Sequence, residues 1–286
     1  MKYNFTKMHG AGNDYVYINC FGHTVDDPNS LSMLLADRHM GIGGDGLVLI
    51  CPSDKADAEM RMFNLDGSEG LMCGNAIRCV AKFIYDNNIA HKDTVTIDTK
   101  SGIKTIKIKS ENNQFISASV DMGKAVLLPK DIPMNDDGET FINQPIEVGG
   151  KTFFCTAVSM GNPHCVTFVD DVDNIELEKI GPLFENHPLF PDRVNTEFIR
   201  IIDENNIQMR VWERGSGETL ACGTGSCAAV AACVLNGYTK HDTPVNVHLK
   251  GGILTDTYKS DGTVIMEGPA VKVFEGTVDT EEMKTE

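Results

Sequence analysis

Short apolar segments, alternating or rich in β-branched residues, recur along most of the chain. They are bounded by Gly, Asn or Asp, a pattern that predicts strands. Two longer segments, 76–85 and 226–235, predict helices instead, and Asn236-Gly237 closes the second one as a C-cap. Residues 227–235 are apolar on every side, so other elements must surround this helix. The predicted strands are 16–18, 47–50, 60–63, 94–99, 104–109, 152–158, 165–169, 197–202, 208–212, 245–249 and 264–266, with shorter helices at 31–39 and 175–180.

The chain contains an internal repeat, in which identical residues recur at a nearly constant offset. The offset is 149 for the matches from Gly12 to the start of the two predicted helices. Later in the chain it changes to 150 and then to 145. The pairs at 149 are Gly12-Asn13 with Gly161-Asn162, Met60-Arg61 with Met209-Arg210, Glu69 with Glu218, Leu71 with Leu220, and Cys73-Gly74 with Cys222-Gly223. One register held over so long a stretch indicates a duplication.

The repeat sets the expected fold and domain organisation. We expect an α+β fold of two pseudo-symmetric lobes, each a β-barrel wrapped around a central helix, with the active site in the cleft between them. The N-terminal lobe is predicted at 1–122 and the C-terminal lobe at 123–268. The tail 269–286 still has strand character at Val271-Lys272-Val273-Phe274, so we expect it to return to the N-terminal lobe.

Composition and charge narrow the class of protein. The 286 residues carry 25 Lys and Arg against 41 Asp and Glu, a net charge of −16, which disfavours binding to nucleic acid or to a membrane surface. The longest apolar run, 227–235, is too short for a membrane span, and the first residues do not resemble a signal peptide. The nine cysteines form no Cys-x-x-Cys spacing, so no metal site is expected and a reducing cytoplasm is the predicted location.

Two of the cysteines occupy equivalent places in the repeat. Cys73 and Cys222 each precede a Gly at the mouth of a predicted helix, where backbone N–H groups and the positive end of the helix dipole lie. This placement predicts a thiol pKa below the usual value and a docking place for a carboxylate. A structural role is the alternative for each thiol taken alone, and it is the expected role of Cys20, Cys51, Cys79, Cys155, Cys165, Cys227 and Cys233.

A pair of thiols related by pseudo-symmetry indicates a specific kind of chemistry. One thiolate can remove a proton from one face of a carbon while the other thiol donates a proton to the opposite face. The result is inversion of a stereocentre in either direction. The sequence has no Walker-type Gly-x-x-x-x-Gly-Lys and no Lys in a context typical of pyridoxal phosphate, so we expect no cofactor.

The segments around these cysteines resemble the signatures of the diaminopimelate epimerase family. Residues 64–78 and 212–225 match along their whole length, and the resemblance extends over nearly the full chain. The other matching segments are His9-Gly10-Ala11-Gly12-Asn13-Asp14, residues 38–46, Gly161-Asn162-Pro163-His164 and Arg193-Val194-Asn195-Thr196-Glu197.

The resemblance implies interconversion of L,L- and meso-2,6-diaminopimelate without pyridoxal phosphate or metal, for lysine and, in many bacteria, cell-wall peptides. It makes Cys73 and Cys222 the acid/base pair. We expect His164 to be a support rather than a base, because its repeat equivalent is Tyr15 and not a second His. The implied substrate-binding residues are Asn13, Asn64, Gly74, Asn75, Asn162, Asn195, Glu213, Arg214, Gly223 and Thr224. We also expect a homodimer. Some family members have, at the position of Gly46, a polar side chain that can touch the substrate. The chain departs from them there, because Gly46 cannot make this contact.

Two other functions compete with this interpretation. A sister isomerase acting on proline, histidine or another α-amino acid would use the same thiol pair, although Asn64, Asn195 and Arg214 favour a substrate with a second amino-acid end. A thiol-based metal-binding or redox protein would use Cys73, Cys222, His164 and Cys165, although the chain lacks the short ligand spacings of such sites.

Overall fold

The structure, a computed structural model, describes residues 1–283. The chain divides into two compact units. Unit 1 comprises 1–120 together with the segment that begins at Gly268, and unit 2 comprises 121–267. The predicted C-terminal strand 269–286 ends outside the described residues, since 284–286 are not among them.

Unit 1 is built from strands and two helices, α1 and α2. In chain order its elements are β1 (Lys2–Gly10), β2 (Asn13–Asn19), α1 (Pro28–Ala36), β3 (Gly46–Cys51), β4 (Ala58–Asn64), β5 (Glu69–Gly70), α2 (Gly74–Asp86), β6 (Thr94–Asp98), β7 (Lys104–Glu111), β8 (Gln114–Lys124) and, after unit 2, β18 (Val271–Asp279). Pairing runs β18–β1–β2–β3–β4–β6–β7–β8. The pairs β2–β3 and β4–β6 are parallel, and the others are antiparallel.

Unit 2 repeats this plan. Its elements are β9 (Gln144–Val148), β10 (Lys151–Ser159), β11 (Pro163–Phe168), α3 (Leu177–Glu185), β12 (Asn195–Asp203), β13 (Asn206–Glu213), β14 (Gly217–Glu218), α4 (Gly223–Leu235), β15 (Val245–Leu249), β16 (Gly252–Tyr258) and β17 (Thr263–Gly268). Pairing runs β9–β10–β11–β12–β13–β15–β16–β17. As in unit 1, two of these pairs are parallel, β11–β12 and β13–β15. Strand β18 therefore occupies in unit 1 the place that β9 has in unit 2.

Each unit wraps its strands around one central helix, as the apolar pattern predicts. Helix α2 packs on β1, β2, β4, β6 and β7, and α4 packs on β10, β11, β12, β15 and β16. Residues 227–233 of α4 are completely buried, which explains why this helix has no polar face. The predicted α+β fold of two similar halves, each a barrel around a helix, is confirmed.

An ion-pair network recurs in both units and explains several of the repeated identities. In each unit a Glu lies on the short strand before the cysteine loop, β5 or β14. It forms ion pairs with an Arg on β4 or β13 and with a Lys that follows the central helix in the chain. The distances are 2.8 Å for Arg61–Glu69, 2.6 Å for Lys100–Glu69, 2.7 Å for Arg210–Glu218 and 2.7 Å for Lys250–Glu218. The network anchors the loop that leads to each cysteine.

Several element bounds differ from the predicted ones. Helix α4 begins three residues earlier than predicted, so Gly223 and Thr224 lie in its first turn. Helix α1 covers Pro28–Ala36 rather than 31–39, because Asp27 caps it by accepting a hydrogen bond from Ser30 N at 3.1 Å. Helix α3 continues to Glu185, through Pro182, beyond the predicted end at 180. Strands β1, β8, β9 and β16 were not predicted, since polar residues interrupt their apolar pattern, and neither were the two-residue strands β5 and β14.

Candidate active site

Cys73 is the N-cap of α2, and its thiol meets a polar side chain of the same unit. The Cys73 thiol donates a hydrogen bond to Asn13 Oδ1 at 3.3 Å. Asn13 begins β2, immediately after the turn that follows β1. The structure therefore brings together two of the predicted site residues of unit 1.

A carboxylate orients the Asn13 amide. Asn13 Nδ2 donates to Asp45 Oδ2 at 2.7 Å, and the Asp14 backbone N–H donates to the same oxygen at 3.1 Å. Arg38 bridges Asp45 and Asp14 at 2.9 and 2.7 Å. With its N–H₂ group held by Asp45, Asn13 must present its oxygen to Cys73.

The first turn of α2 is organised by a fully buried arginine. Arg78 Nη2 donates to Asn75 Oδ1 at 2.8 Å, and Nη1 donates to the Gly74 carbonyl at 3.1 Å. Its Nε donates to the Pro269 carbonyl at 3.4 Å, which ties the segment before β18 to this turn. Asn64, at the end of β4, is held separately by its Nδ2 bond to Ser68 Oγ at 2.9 Å.

Cys222 occupies the equivalent N-cap of α4, but its sulfur has different partners. The sulfur accepts a hydrogen bond from Gly225 N at 3.4 Å and lies 3.6 Å from the Thr224 hydroxyl. Asn162, the repeat equivalent of Asn13, donates from Nδ2 to Thr224 Oγ1 at 3.3 Å. In unit 2 the Asn thus reaches the cysteine through a hydroxyl.

A buried imidazole and carboxylate stand behind Asn162. His164 Nε2 lies 3.0 Å from Asn162 Oδ1, and His164 Nδ1 lies 2.7 Å from Glu197 Oε1. Since a carbonyl oxygen only accepts, His164 donates from Nε2 and so orients the Asn162 amide toward Thr224. The predicted supporting role of His164 stays a prediction, and this geometry is consistent with it.

The thiol pKa predicted from the helix N-terminus is wrong for Cys222. Burial raises the pKa of the Cys222 thiol well above its usual value, and the charges of Glu213 and Glu197 raise it further. The Thr224 hydroxyl and the Gly225 amide lower this pKa, but they do not offset burial. Burial also raises the pKa of Glu197, although His164 opposes this shift.

The remaining predicted residues of unit 2 lie on β12, β13 and the turn after it. Asn195 Oδ1 accepts from the Arg214 backbone N–H at 2.9 Å, and Asn195 Nδ2 donates to the Pro163 carbonyl at 3.0 Å. Glu213 accepts a hydrogen bond from the Thr219 hydroxyl, and the Arg214 guanidinium donates to the Asp192 carbonyl at 2.8 Å.

The sequence profile described as diaminopimelate epimerase matches residues 5–128 and 156–273. A diaminopimelate epimerase from Acetivibrio thermocellus is 52% identical over 279 residues, covering 98% of this chain and 99% of that protein. The chain belongs to the diaminopimelate epimerase family. The predicted resemblance is thereby confirmed, and the chain is an isomerase of the racemase and epimerase type.

Solved structures with the same fold include more distant proteins. A phenazine biosynthesis protein from Bacillus anthracis superposes with a TM-score of 0.70 at 17% identity, covering 97% of this chain and 99% of that one. A hydroxyproline epimerase from Agrobacterium vitis, solved with trans-4-hydroxy-L-proline, has a TM-score of 0.68 at 13% identity, covering 97% and 92%. At these identities the likeness establishes the fold of this diaminopimelate epimerase family member and nothing further.

The departure from some members of the family at Gly46 has a steric reason. A Cβ at Gly46 would lie 2.0 Å from the Phe63 carbonyl oxygen, because β3 and β4 pair there. No side chain fits at this position without moving β4. The repeat equivalent of Gly46 is Asn195, so one half keeps an amide where the other has only backbone.

Sequence reasoning missed three residues that position predicted site residues within their own units. Asp45, Arg78 and Glu197 all lie within segments matched to the family, but the sequence pattern gives none of them a role. Arg78 and Glu197 are completely buried, and a buried charge is costly unless it is paired. Asp45 is partly exposed, and its bond to Asn13 depends on how the fold brings the two residues together. Glu197, which lies on β12 just before the apolar residues 198–199, is the one that the pattern could flag.

Within residues 1–283, no group of three or more His, Cys, Asp or Glu side chains could hold a metal ion, as the metal-binding alternative would require. Over the same residues, no helix is long and apolar enough to cross a membrane.

Proposed function

We propose that this chain interconverts L,L- and meso-2,6-diaminopimelate by proton transfer at one α-carbon, with Cys73 and Cys222 as the acid/base pair. One thiolate takes the α-proton, and the other thiol delivers a proton to the opposite face. The observation that carries the proposal is the duplication itself, since each unit places a cysteine as the N-cap of its central helix. The reverse reaction exchanges the roles of the two thiols.

The helix starts supply the binding site for the reacting-end carboxylate. The first turns of α2 and α4 have backbone N–H groups without an acceptor in their own helix, those of Gly74, Asn75, Gly223 and Thr224. These groups lie at the positive ends of the helix dipoles. As the α-proton leaves, negative charge spreads toward the carboxylate. Preorganised donors of this kind contribute about 3 kcal/mol each in other enzymes.

The other predicted residues recognise the rest of a zwitterionic substrate. Neutral amides and a charge pair suit a ligand that carries an ammonium and a carboxylate at both ends. We propose these roles for Asn13, Asn64, Asn162, Asn195, Glu213 and Arg214, with His164 supporting Asn162, and a reaction that needs neither pyridoxal phosphate nor metal.

Exchange in D₂O tests this function directly. Purified protein given L,L-diaminopimelate should produce the meso isomer with one deuterium at the inverted carbon. Cys73→Ala and Cys222→Ala should each abolish inversion, whereas Cys227→Ala, a buried cysteine within α4, should retain it. Full turnover in either of the first two variants would contradict the two-thiol mechanism.

A panel of amino acids separates this function from that of a sister isomerase. Deuterium incorporation into proline, hydroxyproline or histidine, with none into diaminopimelate, would favour the sister activity. The distal amides argue for diaminopimelate, because a substrate without a second amino-acid end would leave them unused.

We further propose a cytoplasmic homodimer that associates through β18. This strand is exposed on both faces, with Val271, Val273 and Phe274 40%, 54% and 46% exposed. Several exposed apolar side chains on one strand are typical of a protein–protein interface. Sedimentation should give a dimer, and Val273→Glu should give a folded monomer. Reduced thiols are required for the proposed reaction, which fits a reducing compartment.

A further inference from the structure

Two cysteines outside the proposed catalytic pair meet where β2 and β3 end in unit 1. The parallel register pairs Asn19 with Ile50, and the Cys20 backbone N–H donates to the Ile50 carbonyl at 2.8 Å. The next positions in this register are Cys20 and Cys51. Their side chains therefore share a face of the sheet, with Cα atoms about 4.8 Å apart, the usual spacing of neighbouring strands. Disulfides span about 4.4–6.8 Å between Cα atoms, so this spacing lies within the range that a disulfide can bridge.

The two thiols influence each other's ionisation. The neighbouring Cys51 thiol lowers the pKa of Cys20, whereas the Cys20 thiol and burial raise the pKa of Cys51, and the Arg61 guanidinium opposes that rise. Negative charge on one sulfur is thus stabilised by the S–H group of the other and by a nearby cation. This is the arrangement that favours thiol–disulfide exchange, in which a thiolate attacks and a neighbouring thiol resolves.

Access distinguishes this pair from a second one. Cys51 is partly exposed and Cys20 is 6% exposed, at the rim of a core cluster that includes Phe5, Ile18 and Leu49. In unit 2, Cys155 likewise raises the pKa of its neighbour Cys165, but these two residues are 1% and 0% exposed. The chain therefore contains its own control, a thiol pair of similar chemistry without access to solvent.

We propose that Cys20 and Cys51 form a reactive dithiol that exchanges with small disulfides and closes to an intramolecular disulfide. The Cys20 thiolate attacks one sulfur of the reagent and expels its first thiolate. The Cys51 thiol then loses its proton, attacks the Cys20 sulfur of the mixed disulfide and expels the second thiolate. Two protein thiols are oxidised to one disulfide, the reagent disulfide is reduced to two thiols, and the two cysteine protons go to the departing thiolates.

The bond would fix the base of a segment that reaches the proposed site. The loop 21–50 contains α1, Arg38 and Asp45, and Asp45 orients Asn13. Closing a loop of this length removes conformational freedom from the unfolded chain, so the oxidised protein should be more stable. The site itself is independent of the acid–base chemistry proposed above.

Hydroxyethyl disulfide is a suitable probe, used on the full chain in a Cys73→Ala/Cys222→Ala background. Trypsin releases Cys20 on residues 8–38 and Cys51 on residues 39–55, with one cysteine in each peptide. We expect a linked 8–38/39–55 species that disappears with dithiothreitol, and a melting temperature higher by roughly 5–10 °C in the oxidised form. Peptide 152–179, which carries Cys155 and Cys165, should be alkylated only after unfolding.

Matched variants decide the outcome. Cys20→Ser should abolish both the linked peptide and the rise in melting temperature, and Cys155→Ser should change neither. A mixed disulfide that persists on Cys20 or Cys51, or thiols 20 and 51 that stay separately alkylatable, would overturn the proposal. Epimerase activity of Cys20→Ser in the otherwise unaltered chain should equal that of the parent, which separates failure of this inference from failure of the proposed function.

Discussion

His164 Nδ1 lies 2.7 Å from Glu197 Oε1, and both side chains are completely buried. At the repeat offset of 149 the corresponding residues of unit 1 are Tyr15 and Val48. The two halves share the cysteine pair, the pair Asn13 and Asn162, and the ion-pair network, but within residues 1–283 this imidazole–carboxylate pair occurs in unit 2 alone. The pair therefore makes the surroundings of Cys222 chemically different from those of Cys73.

Glu197 should give the protein a pH-dependent stability. Burial raises its pKa in the folded protein above that in the unfolded chain. The stability that this pKa shift contributes is therefore fully present below the pKa of Glu197 in the unfolded chain, about 4.3. It is lost as pH rises through the pKa of Glu197 in the folded protein. Glu197→Gln removes this loss, so the melting temperature of the variant minus that of the parent should be more positive at about pH 8 than at about pH 4. Thermal unfolding monitored by circular dichroism measures the difference.

An exposed glutamate provides the control for this experiment. Glu178→Gln, on the exposed face of α3, should give a difference that changes little over the same range. If Glu197→Gln behaved in the same way, the carboxyl would have to titrate alike in the folded and unfolded chains, contrary to its burial.

Asp45 should act on activity through the orientation of Asn13. Asp45→Ala removes the acceptor for Asn13 Nδ2, so the amide can turn its N–H₂ group toward Cys73. Loss of one oriented hydrogen bond corresponds to about 1–3 kcal/mol, which is roughly a 5- to 150-fold decrease in kcat/KM. Asp45→Asn keeps an acceptor oxygen and should recover most of the activity.

Steady-state kinetics with diaminopimelate and a matched surface variant test this role. Asp54→Ala, at an exposed position of the same unit, should have parental kinetics. Equal losses in Asp45→Ala and Asp45→Asn would indicate that the charge of Asp45, through Arg38, matters rather than the orientation of Asn13.

Arg78 should be among the most destabilising positions to change. Arg78→Met leaves the Asn75 side chain and the Gly74 and Pro269 carbonyls without their guanidinium donor in a fully buried place. Breaking a buried charged network costs about 3–5 kcal/mol. Arg193→Met, which removes a half-exposed partner of Glu185, should cost about 1 kcal/mol or less. Urea unfolding of the two variants gives both values, and similar values would contradict the structural role of Arg78.

The sequence was most informative where the same contact is made twice. Arg61, Glu69 and Lys100 recur in unit 2 because the duplicated frame needs the same ion pairs, so the repeat could be found from identity alone. The apolar α4 likewise required a surrounding sheet. The lobe bounds at 1–122 with 269–286, and at 123–268, stay a prediction that limited proteolysis can test.

Contacts that occur once were beyond the reach of the pattern. Asp45 contacts Asn13 because the loop before β3 returns to β2. No periodic pattern in the sequence predicts this contact. The pKa of Cys222 was misjudged for a related reason. A helix N-terminus is visible in the sequence, whereas the depth at which it lies, and the carboxylates beside it, are set by packing.

Thr224 should determine how easily Cys222 ionises. Burial raises the pKa of Cys222, so its thiolate becomes more abundant as pH rises, and the Thr224 hydroxyl is one of two donors that oppose the shift. Thr224→Val removes that donor without changing the size of the side chain much. A hydrogen bond to a charged group is worth about 1.5–3 kcal/mol, which corresponds to about one pH unit or more. The pH dependence of Cys222 alkylation by iodoacetamide, followed by peptide mass, should therefore move to higher pH in Thr224→Val and stay near that of the parent in Thr224→Ser. Cys73 gives an internal reference in the same samples, because it lies in the other unit and contacts Asn13 instead. If the Cys222 curve were unchanged in Thr224→Val, the hydroxyl would have to donate elsewhere, and the chain from His164 through Asn162 to the sulfur would end at Thr224.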